Sequence, residues 1–236
     1  MAYLFQNRIQ IEDYAQPIMK ADSKSAKIEP DRHSARGKQT RSRLLVAGKR
    51  VFERDGFLQA RITDIAAEAG VSHGSFYHYF DTKEAIFREI AEGIEVQLLS
   101  MNETAHELKN DSDPVERIRA ANRSYLNAYR KESKIMKVIE EVSRYDEEVR
   151  LVRVQRDNEL AERLESTISR LQRNGLADRR INGRYAAMAL GGMVARFAEQ
   201  LFVGGGEYDQ DEAVEQLTIL WANALGMAPG AGATRT

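Results

Sequence analysis

The 236-residue sequence predicts an all-α protein with a small basic part followed by a larger acidic one. Three observations carry that expectation. Every periodic apolar segment repeats at helical spacing, and none alternates as a half-buried strand does. Glycine, proline and capping residues fall between these segments, where helices stop and start. Charge is also unevenly placed: the chain sums to -1, yet residues 36–83 carry +4 and residues 84–236 carry -5.

The first 35 residues balance five basic against five acidic side chains and contain Pro17 and Pro30, so they read as an irregular, flexible extension. Helical spacing begins over Thr40–Asp55, with Leu44, Ala47, Val51 and Phe52 on one side and Gly56 placed as a C′ residue. A short helix follows over Ile62–Ala69 and is broken by Gly70. Ser72 is a suitable cap for a third helix to Tyr79, with Phe76 and Phe80 facing inward. Asp81-Thr82-Lys83-Glu84 reads as a capping box that opens a fourth helix to about Asn102, with Ile86, Phe87, Ile90, Ile94 and Leu98 on its apolar side. Residues 36–100 thus form one compact unit.

The remainder, 101–228, is helical throughout. Pro114 starts a helix to about Arg130, a shorter one covers Lys134–Ser143, and a long one runs from Glu147 to Arg173 before Gly175. Arg184–Leu201 and Asp211–Leu225 are two strongly apolar helices separated by Gly204-Gly205-Gly206. Residues 229–236 read as a flexible tail.

Composition excludes several classes. Without cysteine there is no disulfide, thiol nucleophile or thiolate zinc site. No apolar run approaches the roughly 20 residues of a membrane span, and the N-terminus lacks the apolar core of a signal peptide, so a cytoplasmic protein without a membrane partner is expected. His73 and His78 lie five apart without supporting carboxylates, and no metal site is expected. No nucleophile, base and orienting group come together, and the glycine triplet lacks the lysine and serine of a phosphate loop. Neither an enzyme nor a cofactor is expected.

The informative segment is Ile65–Phe80, IAAEAGVSHGSFYHYF. Two short helices joined by a tight turn at Gly70-Val71 follow helix-turn-helix grammar. The second helix of such a pair enters the major groove, where its first residues reach base edges. Those residues are Ser72, His73, Gly74 and Ser75, followed by Tyr77, His78, Tyr79 and Lys83. Arg41, Arg43 and Arg61 add charge suited to phosphates.

Residues 40–90 resemble the DNA-binding domain of the tetracycline-repressor (TetR) family. The matching residues are Leu44-Leu45, Ala47, Phe52, Gly56-Phe57, Asp64-Ile65-Ala66, Ala69-Gly70-Val71-Ser72, Phe76-Tyr77, Tyr79-Phe80 and Lys83-Glu84-Ala85-Ile86, in one ungapped register. The resemblance implies a homodimer that represses from a palindromic double-stranded DNA operator and is released by a small, largely apolar inducer. An activator or a ligand-independent regulator of the same fold is the alternative. It also implies DNA contacts at His73, Ser75, Tyr77, Tyr79 and Lys83, with Ser75 and Tyr77 in the groove and Tyr79 and Lys83 on phosphates. Two positions depart from the family pattern: Arg61 stands where a capping threonine is usual, and Gly48 where an alanine is.

Beyond residue 100 the resemblance is one of architecture, a helical ligand-binding and dimerisation domain. It implies that the last two helices pair across a dimer, with Leu190, Met193, Val194, Phe197, Leu217, Leu220 and Trp221 as interface residues and Gly191-Gly192 permitting close approach. Tyr125, Tyr129, Met136, Ile139 and Phe197 combine apolar surface with a few polar groups and are the expected ligand-lining residues. Arg144, Arg150, Arg153 and Arg156 lie among Glu147, Glu148 and Asp157, and read as a salt-bridged helix surface.

Overall fold

A computed structural model describes residues 34–104 and 113–227, and every regular element among them is helical. The expected N-terminal extension and the tail lie almost entirely outside the described residues. Among the described residues nine helices follow in order: α1 Ala35–Gln59, α2 Ile62–Glu68, α3 His73–Tyr77, α4 Lys83–Thr104, α5 Pro114–Lys131, α6 Ser133–Val142, α7 Glu147–Arg173, α8 Gly183–Phe202 and α9 Gln210–Ala224. The chain divides into two compact units within α4, between Gln97 and Leu98. No helix among the described residues is long and apolar enough to cross a membrane.

In the first unit, α1 begins five residues earlier than the Thr40 expected from periodicity. Ser34 caps it, its hydroxyl accepting from the Gly37 N–H at 3.1 Å. This cap lies well before Leu44, the first large apolar residue of the helix, so the apolar repeat could not mark it. The helix kinks at Gly56, whose φ of 74° is open to glycine without a Cβ clash, and continues for one further turn. That turn brings Phe57 into an aromatic core, with Phe87 4.9 Å from both Phe52 and Phe57. Gly48 is buried where α1 meets α4: a Cβ there would stand 3.0 Å from Ile90 Cδ1 and 3.1 Å from Ile86 Cδ1. The mid-helix glycine therefore permits close helix approach. The capping box expected at Asp81 is displaced by one residue, with Thr82 Oγ1 accepting from the Ala85 N–H at 3.0 Å.

In the second unit, α7 packs on α8 and α5 on α9. Gly191 admits the first contact, since a Cβ would stand 2.9 Å from Leu164 Cδ1, whereas Gly192 is exposed with nothing within 4 Å. The close approach expected of this pair is thus made inside one chain by Gly191. Polar clips join α5 to α9: Asn122 Nδ2 donates to Thr218 Oγ1 at 3.2 Å, Arg119 Nε to Glu215 at 2.9 Å, and Arg123 to Asp211. At the α7–α8 turn, Gln172 donates to the carbonyls of Asp178 and Ile181 at 2.9 and 2.8 Å. Hydrogen bonding from the Arg180 guanidinium and backbone lowers the Asp178 carboxyl to about 2.

Filling the Gly48 contact is expected to destabilise the first unit. Gly48→Leu overpacks the Ile86–Ile90 surface and should cost about 1–3 kcal/mol. Urea denaturation should show a lower midpoint at unchanged slope.

Candidate functional site

The α2–α3 turn is built from its hydrogen bonds. Gly70 adopts φ 64°, Val71 N–H donates to Ala66 O at 2.9 Å and Gly70 N–H to Ala67 O at 3.0 Å. This is the paired closure of a Schellman motif, which ends α2 and turns the chain at once. Arg43 of α1 reaches across and donates to the carbonyls of Ala69 and Gly70, the latter at 3.1 Å. Ser72 then caps α3, its hydroxyl accepting from the Ser75 N–H at 3.1 Å and sharing a hydrogen bond with Ser75 Oγ at 2.7 Å. α3 ends at Tyr77, two residues short of the expected Tyr79.

Phe76 is fully buried and anchors α3, with Phe80 5.9 Å away. The opposite face presents Ser72, His73, Gly74, Tyr77 and His78 to solvent, and Ser75 is half-buried. Tyr77 is 43% exposed, and the His73 ring packs edge-on to it at 5.3 Å. Four of the residues expected to contact DNA, Ser72, His73, Ser75 and Tyr77, therefore share one short helix and its cap.

The remaining four part company. Arg61 is exposed at the start of α2, makes no side-chain cap bond, and has no ion pair among the described residues. Arg43 is engaged by the turn carbonyls. Tyr79 is 9% exposed and its hydroxyl is buried, because three residues beyond Phe76 the chain again faces the core. Lys83 Nζ donates to Phe57 O at 2.8 Å and Ala60 O at 3.2 Å, and lies 4.6 Å from the Phe57 ring centroid. Tyr79, expected on a phosphate, is thus a core side chain, and Lys83, expected on another, closes the kinked end of α1. Arg41 is likewise turned inward, paired with Glu89 and 4.8 Å over the Phe80 ring.

The second unit holds a cavity of about 140 Å³ among α5, α7, α8 and α9, walled by Ile118, Tyr125, Leu164, Ile168, Val194 and Trp221 among others. Of the expected ligand-lining residues, only Tyr125 borders it. Tyr129 borders a second, more polar cavity of about 210 Å³ beside Arg153 and Arg156. Met136 and Ile139 are fully buried and border neither, since α6 turns its apolar face into solid core. Phe197 also borders neither, and its ring lies 5.2 Å from Tyr208. Arg144 and Arg150 pair with Glu140 and Glu147, whereas Arg156 is buried and donates to Tyr125 Oη at 3.3 Å.

Four expected interface residues, Leu190, Val194, Leu217 and Trp221, are buried within their own chain and have little surface left to offer. Leu220 is 50% exposed, and Met193 and Phe197 are half-buried. The exposed apolar side chains of α8 and α9 are Tyr185, Met188, Ile219 and Leu220. Helical spacing marks an apolar stripe but cannot say which edge of it stays outside.

The fold, the glycine turn and the exposed recognition helix define a helix-turn-helix DNA-binding protein. Two family models match it: "Bacterial regulatory proteins, tetR family" over residues 44–90 and "Tetracyclin repressor-like, C-terminal domain" over residues 111–225. The chain belongs to the TetR family of transcriptional regulators. It is 26% identical to the HTH-type transcriptional regulator YdgC of Bacillus subtilis (strain 168) over 205 residues, 83% of this chain and 96% of that protein. It is 39% identical over 59 residues to the HTH-type transcriptional repressor BepR of Brucella suis, covering 25% of this chain and 28% of that one. Among solved structures, the fatty acid degradation regulator FadR from Bacillus halodurans superposes with a TM-score of 0.65 at 18% identity, covering 80% of this chain and 97% of FadR. The TetR-family regulator PfmR from Thermus thermophilus gives 0.61 at 21% identity, covering 79% and 99%.

The arginine and lysine positions predict separable effects. Arg61→Ala should weaken DNA binding across sequences and lower the salt slope by about 1, with stability unchanged within about 0.5 kcal/mol. Lys83→Met should instead lower stability by about 1 kcal/mol through the freed carbonyls. Mobility shifts across salt and thermal melts on both variants check the division.

Proposed function

We propose that the chain is a homodimeric repressor that binds a palindromic operator and is released when a small molecule enters the α5–α7–α8–α9 cavity. The observation that carries this reading is the exposed apolar surface on α8 and α9. Tyr185 is 76% exposed, Met188 54%, Ile219 47% and Leu220 50%. Large apolar side chains gathered on adjacent helices mark an association surface, and a second copy of the chain would cover them. One chain presents one recognition helix. Two copies about a twofold axis present two, and palindromic operators have the matching symmetry.

Ligand release is supported by the cavity, which has mainly apolar walls with a few polar groups. A ligand that fits one arrangement of the helical unit better than another shifts the population between them, and DNA affinity shifts with it. Repression rather than activation is supported by the relative named as a repressor, whose likeness falls on the DNA-binding segment.

The dimer reading predicts that Leu220→Glu, at an exposed position, lowers the sedimentation mass to that of one chain without loss of helix content. The same variant should lose specific operator binding, because a single helix-turn-helix holds one half-site. Footprinting of the parent protein on DNA flanking its own gene should show half-site centres about 34–36 Å apart, or a multiple. A variant that remains dimeric and binds normally contradicts the assignment of this face.

A further inference from the structure

The cavity of the second unit has a charge pattern that its apolar walls do not explain. Arg117 of α5 and Arg163 and Arg170 of α7 all border it, and no aspartate or glutamate among the described residues does. Arg117 and Arg170 are half-buried, and their side chains hold no hydrogen bond or ion pair among the described residues. Neighbouring arginines behave otherwise: Arg119 pairs with Glu116 and Glu215, Arg123 with Asp211, and Arg196 with Glu199. Cations gathered against an apolar wall, with their water partly removed, are unfavourable unless an anion joins them. A second, independent observation comes from α9. Trp221 is 7% exposed, borders the same cavity, and its indole N–H is buried without an acceptor among the described residues. Buried donors are ordinarily satisfied, and here the missing acceptor falls to whatever fills the cavity.

We infer that the cavity takes a small organic anion, a monocarboxylate whose apolar body lies against Ile118, Leu164 and Ile168. Arg117 and Arg170 hold the carboxylate. Guanidinium is the side-chain group that matches a carboxylate in both charge and fork geometry. Trp221 supplies a further donor along the ligand. The other polar groups on the wall are already engaged: Asn122 donates to Thr218, and Tyr125 accepts from Arg156. A cavity of about 140 Å³ limits the body to one ring or a short chain, since a cavity of about 150 Å³ accepts benzene. This inference rests on the ligand-release reading for the choice of cavity, but its test does not need DNA.

Trp221 is the single tryptophan of the sequence, so its fluorescence reports on this cavity alone. The full chain is titrated at constant ionic strength with benzoate and its neutral isostere benzamide, and with hexanoate and hexanamide. The expected result is a saturable change with a carboxylate that binds at least tenfold more tightly than its amide. The double substitution R117Q/R170Q should weaken carboxylate binding at least tenfold and leave amide binding within twofold. If the double variant melts earlier than the parent, Arg170→Gln alone is titrated, with at least threefold weakening expected. Equal affinity for acid and amide, indifference to the substitutions, or no saturable change with any of the four probes overturns the inference. Addition of the probes to the operator complex separates the two readings. Carboxylate binding without DNA release leaves the anion site standing and removes ligand release. DNA release by amides but not carboxylates does the reverse.

Discussion

The DNA-binding unit depends on one turn held in the left-handed region. Gly70 can adopt φ 64° at low cost because it has no Cβ, and the Val71 and Gly70 amides close back onto α2 as a result. That closure sets the angle between α2 and α3, and thereby decides which side of α3 faces solvent. Arg43 fixes the same turn from α1 through the Ala69 and Gly70 carbonyls. Phe76 anchors α3 from beneath. With turn, clamp and anchor in place, His73 and Tyr77 lie on the outer face without further choice. A five-residue helix is far too short to be stable alone, so its orientation has to come from these tertiary contacts.

The basic patch acquires a different meaning once its partners are known. Of the nine basic residues between 36 and 83, Arg41, Lys49, Arg50 and Arg54 face carboxylates. Arg43 and Lys83 face carbonyls instead. Arg36, Lys38 and Arg61 are exposed, and none has an ion pair among the described residues. A net charge of +4 therefore overstates the charge presented to phosphate, and most of these cations hold the unit together. On the proposed reading, recognition leans on the fit and chemistry of α3 more than on bulk attraction. In the helical unit the same reasoning runs the other way. There the informative arginines are Arg117 and Arg170, which border a cavity and hold no ion pair among the described residues.

Helix order and type were legible because apolar spacing and glycine stops both survive in the sequence. Bounds near Pro114, Glu147 and Arg173 agree with the structure because proline, an acidic first turn and a basic last turn mark them locally. The start of α1 was not legible, since its cap at Ser34 precedes any apolar repeat. Within the site, the placement of Ser72, His73, Ser75 and Tyr77 on one short helix and its cap was legible from the turn. The inward placement of Tyr79 and Lys83 was not. The inward rotation after Phe76 is set by tertiary packing, and the carbonyls around Lys83 come from the distant end of α1. The cavity was legible only as a class of surface. Arg163, Thr167 and Arg170 do share one helical stripe, a signal visible in the sequence, but Arg117 joins them only through the packing of α5.

α3, held by the Gly70 turn, presents His73 and Tyr77 on its outer face, and the proposed function gives these residues the reading of DNA. Site-specific photo-crosslinking tests it most directly, with a benzophenone side chain placed at position 73 or 77 of the full chain bound to its operator. Crosslinks to bases in the major groove are expected from both substituted positions, at symmetric places in the two half-sites. DNA that remains bound and shifted while neither position crosslinks to a base would contradict it.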